Sequence, residues 1–288
     1  MIVLTGAGGF IGSVILGYLN SQGFKDIIII DNLGSDNRFM MLNNKRFYRL
    51  YMPNEDFDTS NITAVIHCGA NSNTLEKDWN SLYETNVRST RQWHDLCLEN
   101  NIPFIFLSSA ALYGNNDGPL NLYAFSKQVS ENEIQKGVIL RLFNVYGPNE
   151  YHKGRMASTI YHWHKQIQET GTLKIFENSD KYTRDFVYVE DVARVVAFFL
   201  SNYQPGVYDV GSGGSASFET VADIIIQEAG EGKKEYIVMP SDLKSQYQTT
   251  TKSNIVPLKN AGFNVNKFRN IEQGIKDYVK YLKFNDYY

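Results

Sequence analysis

Only two cysteines, Cys68 and Cys97, occur in 288 residues. That is too few for a disulfide framework and fits a reducing compartment. Basic runs are equally scarce. Lys45-Arg46 and Lys233-Lys234 are too short to track a phosphate backbone, and the net charge is −3, so a nucleic-acid partner is not expected. Beyond the first twenty residues the longest apolar run is Val195–Leu200, far short of the roughly 20 residues that cross a bilayer. The first twenty are apolar but lack the positive flank of a secretion signal. Internal repeats and low-complexity tracts are missing as well. These gaps leave a cytoplasmic globular chain with no membrane partner as the expectation. With 43% apolar and 20% charged residues it can bury a core, as one large α/β domain or a nucleotide domain carrying a smaller lobe.

Short β-branched runs alternate with helical stretches through the first half, the rhythm of a parallel sheet covered on both faces. Strands are expected at Met1–Thr5, Ile27–Ile30, Phe47–Tyr51, Ala64–His67, Phe104–Leu107 and Val138–Leu142. Ile11, Ile15 and Leu19 give Ile11–Asn20 a helical face. Each strand ends in polar or glycine residues, as required where ligands sit at the C-terminal edge of a doubly wound sheet. After Pro148 the rhythm weakens. Asp185–Val189 and Asp191–Leu200 read as a strand and helix, and Phe218–Ala229 and Ile271–Leu282 as amphipathic helices. The expected division is a dinucleotide-binding domain at 1–143, to which 183–200 returns, and a smaller α/β substrate lobe at 144–288.

Gly6, Gly9 and Gly12 lie at G-x-x-G-x-x-G spacing between the first strand and the first helix. A tight turn needs one glycine, a pyrophosphate must reach bare backbone at the helix N-terminus, and the third glycine permits close helix–strand packing. Glycine turns are common, and the position of Asp31 at the end of the second strand is what makes this one a dinucleotide site. Asp31 would accept from the adenosine ribose and favours NAD. Asn32 and Arg38 follow it, and the Arg38 guanidinium would suit a 2′-phosphate, so the residues alone leave NAD or NADP open.

Tyr123 and Lys127 stand four apart on one helix face. A cation beside a phenol stabilises phenolate, lowers its pKa and lets it exchange a proton with a carbinol near neutral pH. Roughly one such pair is expected by chance in this composition, and Tyr161/Lys165 is a second. Context separates them, because Tyr123 follows the strand that ends in Ser108-Ser109, whose hydroxyls can orient a substrate oxygen. His162 and His164 point apart on a helix with no further ligand pattern, so no metal is expected. Gly211–Gly214 reads as a connecting loop.

These motifs, together with Phe143–Ser158 (FNVYGPNEYHKGRMAS), Leu173–Val189 and Leu243–Gln248 (LKSQYQ), resemble the extended short-chain dehydrogenase/reductase family. Within it they look most like the ADP-L-glycero-D-manno-heptose 6-epimerases, from Met1 to about Leu282. The resemblance implies a Rossmann domain with a substrate lobe, homo-oligomeric assembly, and a nucleotide-sugar epimerase that inverts a carbinol by transient oxidation with bound NADP, NAD being the other option. It places cofactor contacts on Phe10, Ile11, Asp31, Asn32, Arg38, Cys68, Gly69, Ala70, Asn71, Ser72, Asn86, Lys127 and Val145. Substrate contacts fall on Asn144, His162, Phe176, Glu177, Asn178, Ser179, Arg184 and Tyr247. Arg155 stands where relatives have a serine touching substrate. Tyr123 and Lys153 are the implied acid/base pair, with Ser109 beside them. A 4,6-dehydratase needs an Asp-Glu pair directly after the hydroxyl residue, and Ala110-Ala111 follow Ser109 here. A 4-epimerase needs the same Ser/Tyr/Lys set. A non-catalytic dinucleotide sensor would not need to retain it.

Overall fold

The apolar runs of the first half assemble into one seven-stranded parallel sheet in the computed structural model, which describes residues 1–34, 37–115, 117–241 and 248–284. Its strands are β1 (Ile2–Thr5), β2 (Ile27–Ile30), β3 (Arg49–Tyr51), β4 (Ala64–His67), β5 (Phe104–Ser109), β6 (Val138–Leu142) and β11 (Gly206–Val210), in the order β11-β6-β5-β4-β1-β2-β3. Every residue of β1, β2 and β4 is buried, the pattern of strands covered on both faces. One face carries α1 (Phe10–Ser21) and α6 (Val189–Ser201) over Leu4, Ile29, Ile66 and Leu140. The other carries α3 (Ser89–Glu99) over Val3, Ile28, Phe104 and Phe106. Among the described residues no helix is long and apolar enough to cross a membrane.

The chain leaves β1 toward β2 and β3, then returns to the other side of β1 with β4. This reversal opens a crevice at the C-terminal ends of β1 and β4, where an open α/β sheet binds its ligands. α2 (Trp79–Leu82) runs through a π-helical turn at Tyr83–Arg88 into α3. α4 (Leu122–Glu133) starts at Asn121, whose side chain accepts from the Ala124 amide at 2.9 Å.

The second lobe has its own core, in which Trp163, Ile167, Ile175, Val221, Ile225, Ile275 and Tyr278 meet. Its helices are α5 (Thr159–Thr170), α7 (Phe218–Ala229) and α9 (Ile271–Phe284). Two pairs of strands brace them, β8 (Thr172–Phe176) with β13 (Lys233–Ile237) and β9 (Thr183–Arg184) with β12 (Ala216–Ser217). Ser158 and Ser217 cap the starts of α5 and α7, and left-handed Gly171 and Gly230 end them. A further ribbon, β7 (Asn144–Tyr146) paired with β10 (Phe186–Tyr188), lies between the two cores. Its side chains alternate, as a strand must. Tyr146, Phe186 and Tyr188 enter the second core, while Val145 and Val187 pack on the first.

The stretch that returns to the sheet runs beyond residue 200. β11 pairs in parallel with β6, and α8 (Val256–Asn260) adds Leu258 and, just after it, Phe263 to the same core. Gly211–Gly214 is a loop pinned by Asp185, whose carboxylate accepts from the Ser212 and Gly213 amides at 2.7 and 3.1 Å.

Candidate active site

A single cleft of about 810 Å³ runs from the glycine turn, past the end of β5, to the face of the second lobe. At its cofactor end Gly6 has φ +68, and a Cβ there would sit 2.8 Å from the Gly69 backbone, so β1 and β4 can end this close only with glycine. A Cβ on Gly12 would meet the Gly6 carbonyl at 2.1 Å, which is the close helix–strand approach expected of the third glycine. α1 begins at Gly9 with no side-chain cap, so its first-turn amides face the cleft undonated to any side chain. That arrangement suits a pyrophosphate. Asp31 is buried, and its carboxylate accepts from the Gly8 amide at 2.7 Å. Arg38 lies 3.6 Å from the same carboxylate and donates to the Asn32 carbonyl at 2.6 Å. The residues present therefore fit a dinucleotide.

Gly6, Gly9, Phe10, Ile11, Gly12, Asp31, Arg38, Cys68, Gly69, Ala70, Ser72, Lys127 and Val145 all line this cleft. Asn32 is exposed outside its wall, with its side chain bonded to the Gly34 amide. Asn71 and Asn86 stand one layer behind. The buried Asn86 side chain accepts from the Asn71 amide at 2.7 Å and donates to the Asn71 carbonyl at 3.0 Å.

At the centre Tyr123 and Ser109 line the cleft together, and Lys127 follows one helical turn later. The Lys127 ammonium is 4% exposed, donates to the Leu107 carbonyl at 2.9 Å and lies 4.7 Å from the Phe106 ring centre. The Tyr123 phenol is pushed above its usual value by burial, with the Ser109 hydroxyl acting the other way.

Burial pushes Lys127 itself down to about 8, against the pull of Cys68 and Glu131. The usual lysine value is 10.5, so keeping the ammonium charged costs the fold about 3 kcal/mol below pH 8. Between pH 8 and 10.5 the unfolded chain binds more protons than the folded one, and stability from this group rises with pH. Lys127→Met removes the dependence. The stability of the variant relative to wild type is expected to be greatest below pH 8 and to decline toward pH 10.5. Denaturant titrations across that range check it, and a gap that does not change with pH refutes it.

From the second lobe Lys153 reaches over α1, with its ammonium 5.3 Å from the Phe10 ring centre. It sits on a 3₁₀ turn, Tyr151–Met156, kinked at Gly154. Burial pushes its pKa down and the Glu150 carboxylate pushes it up. Arg155 is exposed at the cleft edge. Glu150 is fully buried and went unread in the sequence. It accepts from the Gly147 amide at 3.3 Å and from the amide and hydroxyl of Ser158, closing both ends of the turn. A carboxylate three positions before a candidate acid/base lysine was the available signal.

Asn144 and Arg184 line the cleft toward the second lobe, with Arg184 donating to the Thr183 carbonyl at 2.8 Å and stacking on Phe218 at 5.4 Å. Thr159 and Phe218 connect this end to a smaller cavity of about 110 Å³, where Phe176 and Ser179 appear alongside Trp163, Lys174 and Tyr182. Glu177 and Asn178 are exposed on the turn beyond and line neither cavity, and half-buried His162 packs beside Tyr161 instead. Tyr247 lies outside the described residues. The competing pair is elsewhere, with Lys165 exposed and paired to Glu169.

Residues 2–211 match the model of the NAD dependent epimerase/dehydratase family. Among solved structures the chain is similar to Helicobacter pylori ADP-L-glycero-D-manno-heptose-6-epimerase, with 24% identity, TM-score 0.82 and 98% of this chain against 96% of that one. It is similar to UDP-N-acetylglucosamine 4-epimerase from Methanobrevibacter ruminantium, with 24% identity, TM-score 0.84 and coverage of 98% and 97%. A third is UDP-glucuronic acid 4-epimerase from Bacillus cereus, solved with UDP-glucuronic acid and NAD, with 23% identity, TM-score 0.79 and 98% of each chain covered. At these identities the structures share the fold, and the family match extends over most of the chain. A glycine turn closed against β4, an acid at the end of β2 and a Ser/Tyr/Lys set at the end of β5 thus come together in a chain that belongs to the NAD dependent epimerase/dehydratase family.

Proposed function

We propose that this protein is a nucleotide-sugar epimerase that inverts one carbinol centre by transient oxidation, acting on an ADP-glycero-manno-heptose or a close analogue. One observation carries the reading. Two groups able to move a proton, Tyr123 and Lys153, reach one cleft from different lobes. The first residue of the glycine-turn helix, Phe10, lies directly beneath the second. Held by the glycine turn, Asp31 and Lys127, a nicotinamide dinucleotide would supply a hydride acceptor and then a hydride donor. Ser109 orients the carbinol oxygen, and Tyr123, as the phenolate that the nearby ammonium favours, accepts its proton as the carbonyl forms. Once the transient ketone presents its other face, its oxygen occupies a new place, and Lys153 donates the proton there. In the reverse direction the two residues exchange roles. Arg184 and Asn144 hold the substrate's diphosphate end, and the cavity of Phe176 and Ser179 receives the base. Incubating the protein with ADP-, GDP- and UDP-linked sugars and following stereochemistry by NMR tests this. Inversion of the ADP-heptose is expected. Inversion only at C4 of a UDP-sugar moves the protein to the 4-epimerases, and no reaction with any of them overturns the reading.

The cofactor of this proposal is NADP. Arg38 is already beside the ribose-binding acid, where one guanidinium can serve both Asp31 and a 2′-phosphate. Arg38→Ala is expected to weaken NADP binding about tenfold or more and to leave NAD nearly unchanged. Equal losses for the two cofactors in a binding titration would mean that there is no phosphate contact.

A further inference from the structure

Behind the cleft floor, five groups form a hydrogen-bond chain whose direction can be worked out. The Gly69 amide donates to the Thr5 hydroxyl oxygen at 2.9 Å. Thr5 Oγ1 lies 2.8 Å from His67 Nδ1, and His67 Nε2 lies 3.1 Å from Thr90 Oγ1. The Thr90 hydroxyl donates to the Asn86 carbonyl at 2.5 Å. His67 is 1% exposed and packs beside both Phe104 and Phe106, with ring centres 6.1 and 5.9 Å away. Burial, with the nearby Lys127 charge second, pushes its pKa down to about 3, so the ring is neutral at physiological pH.

The two ends of this chain leave one arrangement. Asn86 offers only a carbonyl, so the Thr90 proton must go there, and Thr90 Oγ1 must accept from His67. The neutral ring therefore carries its proton on Nε2, and Nδ1 accepts from Thr5. Thr5 has then used its own proton and accepts from Gly69. Asn86 continues the path. Its side chain clasps both backbone groups of Asn71 and donates to Ser126 Oγ at 2.9 Å, and Ser126 donates to the Tyr123 carbonyl at 2.7 Å.

We propose that His67 is a positioning residue: as the Nε2-protonated tautomer it joins the Gly69 backbone that faces the cofactor to the Asn86 turn and the helix that carries Tyr123. The π-helical turn at Tyr83–Arg88 belongs to this device. It presents the Asn86 carbonyl to side chains, and Ser130 Oγ donates to the same oxygen at 3.1 Å. The inference rests on the dinucleotide reading of the cleft, so wild-type binding is measured first, and no binding there would refute that reading rather than this one.

The decisive variant is Thr90→Val, which keeps shape and breaks the chain at the end remote from the cleft. Dinucleotide affinity is expected to fall about tenfold, with turnover at saturating cofactor also reduced. His67→Leu is expected to do the same, and Thr90→Val carries the test if that variant does not fold. Imidazole nitrogen NMR of the wild type should show a protonated Nε2 and a bare Nδ1. Wild-type affinity in folded Thr90→Val, or a ring protonated on Nδ1, overturns the proposal.

Discussion

Tyr123→Phe is expected to bind dinucleotide as the wild type does and to turn over roughly 10²–10⁴-fold more slowly, the usual worth of a positioned proton-transfer group. The substitution removes one oxygen and leaves the ring in place. The helix register is set by the Asn121 cap and by Ala124 and Ser126, both fully buried, and none of these depends on the phenol. Lys127 keeps its bond to the Leu107 carbonyl, so the cofactor end of the cleft is untouched. Ser109 stays bonded to the Ala111 amide at 3.1 Å and still lines the cleft. A fall in kcat with unchanged dinucleotide affinity is the expected pair of readings. Turnover near wild type would remove Tyr123 from the chemistry.

Lys153→Met should produce a second loss of similar size by a different route. Methionine retains the length and the contact with Phe10 while deleting the ammonium. If Lys153 moves a proton to the inverted centre, turnover falls about 10²–10⁴-fold and substrate affinity changes little. If it only clamps the diphosphate, affinity collapses and turnover at saturation survives. The kcat and KM of one variant separate the two. Direction of reaction adds a second check. If each face of the ketone has its own proton partner, then with Lys153 gone the oxidation half should persist in whichever direction Tyr123 is the acceptor. A trapped ketone or a reduced cofactor would then accumulate, visible as nicotinamide absorbance.

Much of this site could be read from the sequence, and the parts that could not share a physical cause. Ile27–Ile30, Ala64–His67 and Val138–Leu142 were legible to the residue because a strand buried on both faces is a mostly apolar run, broken here only by His67 and Arg141. Gly206–Val210 was not, since an edge strand containing Asp209 has no such run, and only its partner β6 shows it to be a strand. The glycine turn and the Tyr123/Lys127 pair are local in sequence and were found as spacings. What Lys127 bonds to is not local, since the Leu107 carbonyl it donates to lies twenty residues earlier. The grip of Asn86 on the Asn71 backbone, fifteen positions earlier, could not be read as a spacing either. His67 carried no sequence signal at all, because its partners are 62 and 23 positions away. His162 depends on how α5 is rotated in its packing, and that rotation presents Thr159 and Trp163, four apart, to the smaller cavity.

The ribbon of β7 and β10 has a bearing on how this enzyme's specificity could be re-engineered. Phe186 and Tyr188 serve one core and Val187 the other, so a single three-residue strand is a wall common to both lobes. Lys153 follows one strand of that wall and Arg184 precedes the other. Exchanging the sugar lobe with a relative's is therefore not a matter of one splice point. A working chimera has to carry the stretches around α5, α7 and α9 together, leave α6, β11 and α8 with the recipient, and match residues on both sides of the shared wall. Single-junction chimeras should come out insoluble, and the few that fold should be those whose parents agree at Val145, Tyr146, Phe186, Val187 and Tyr188.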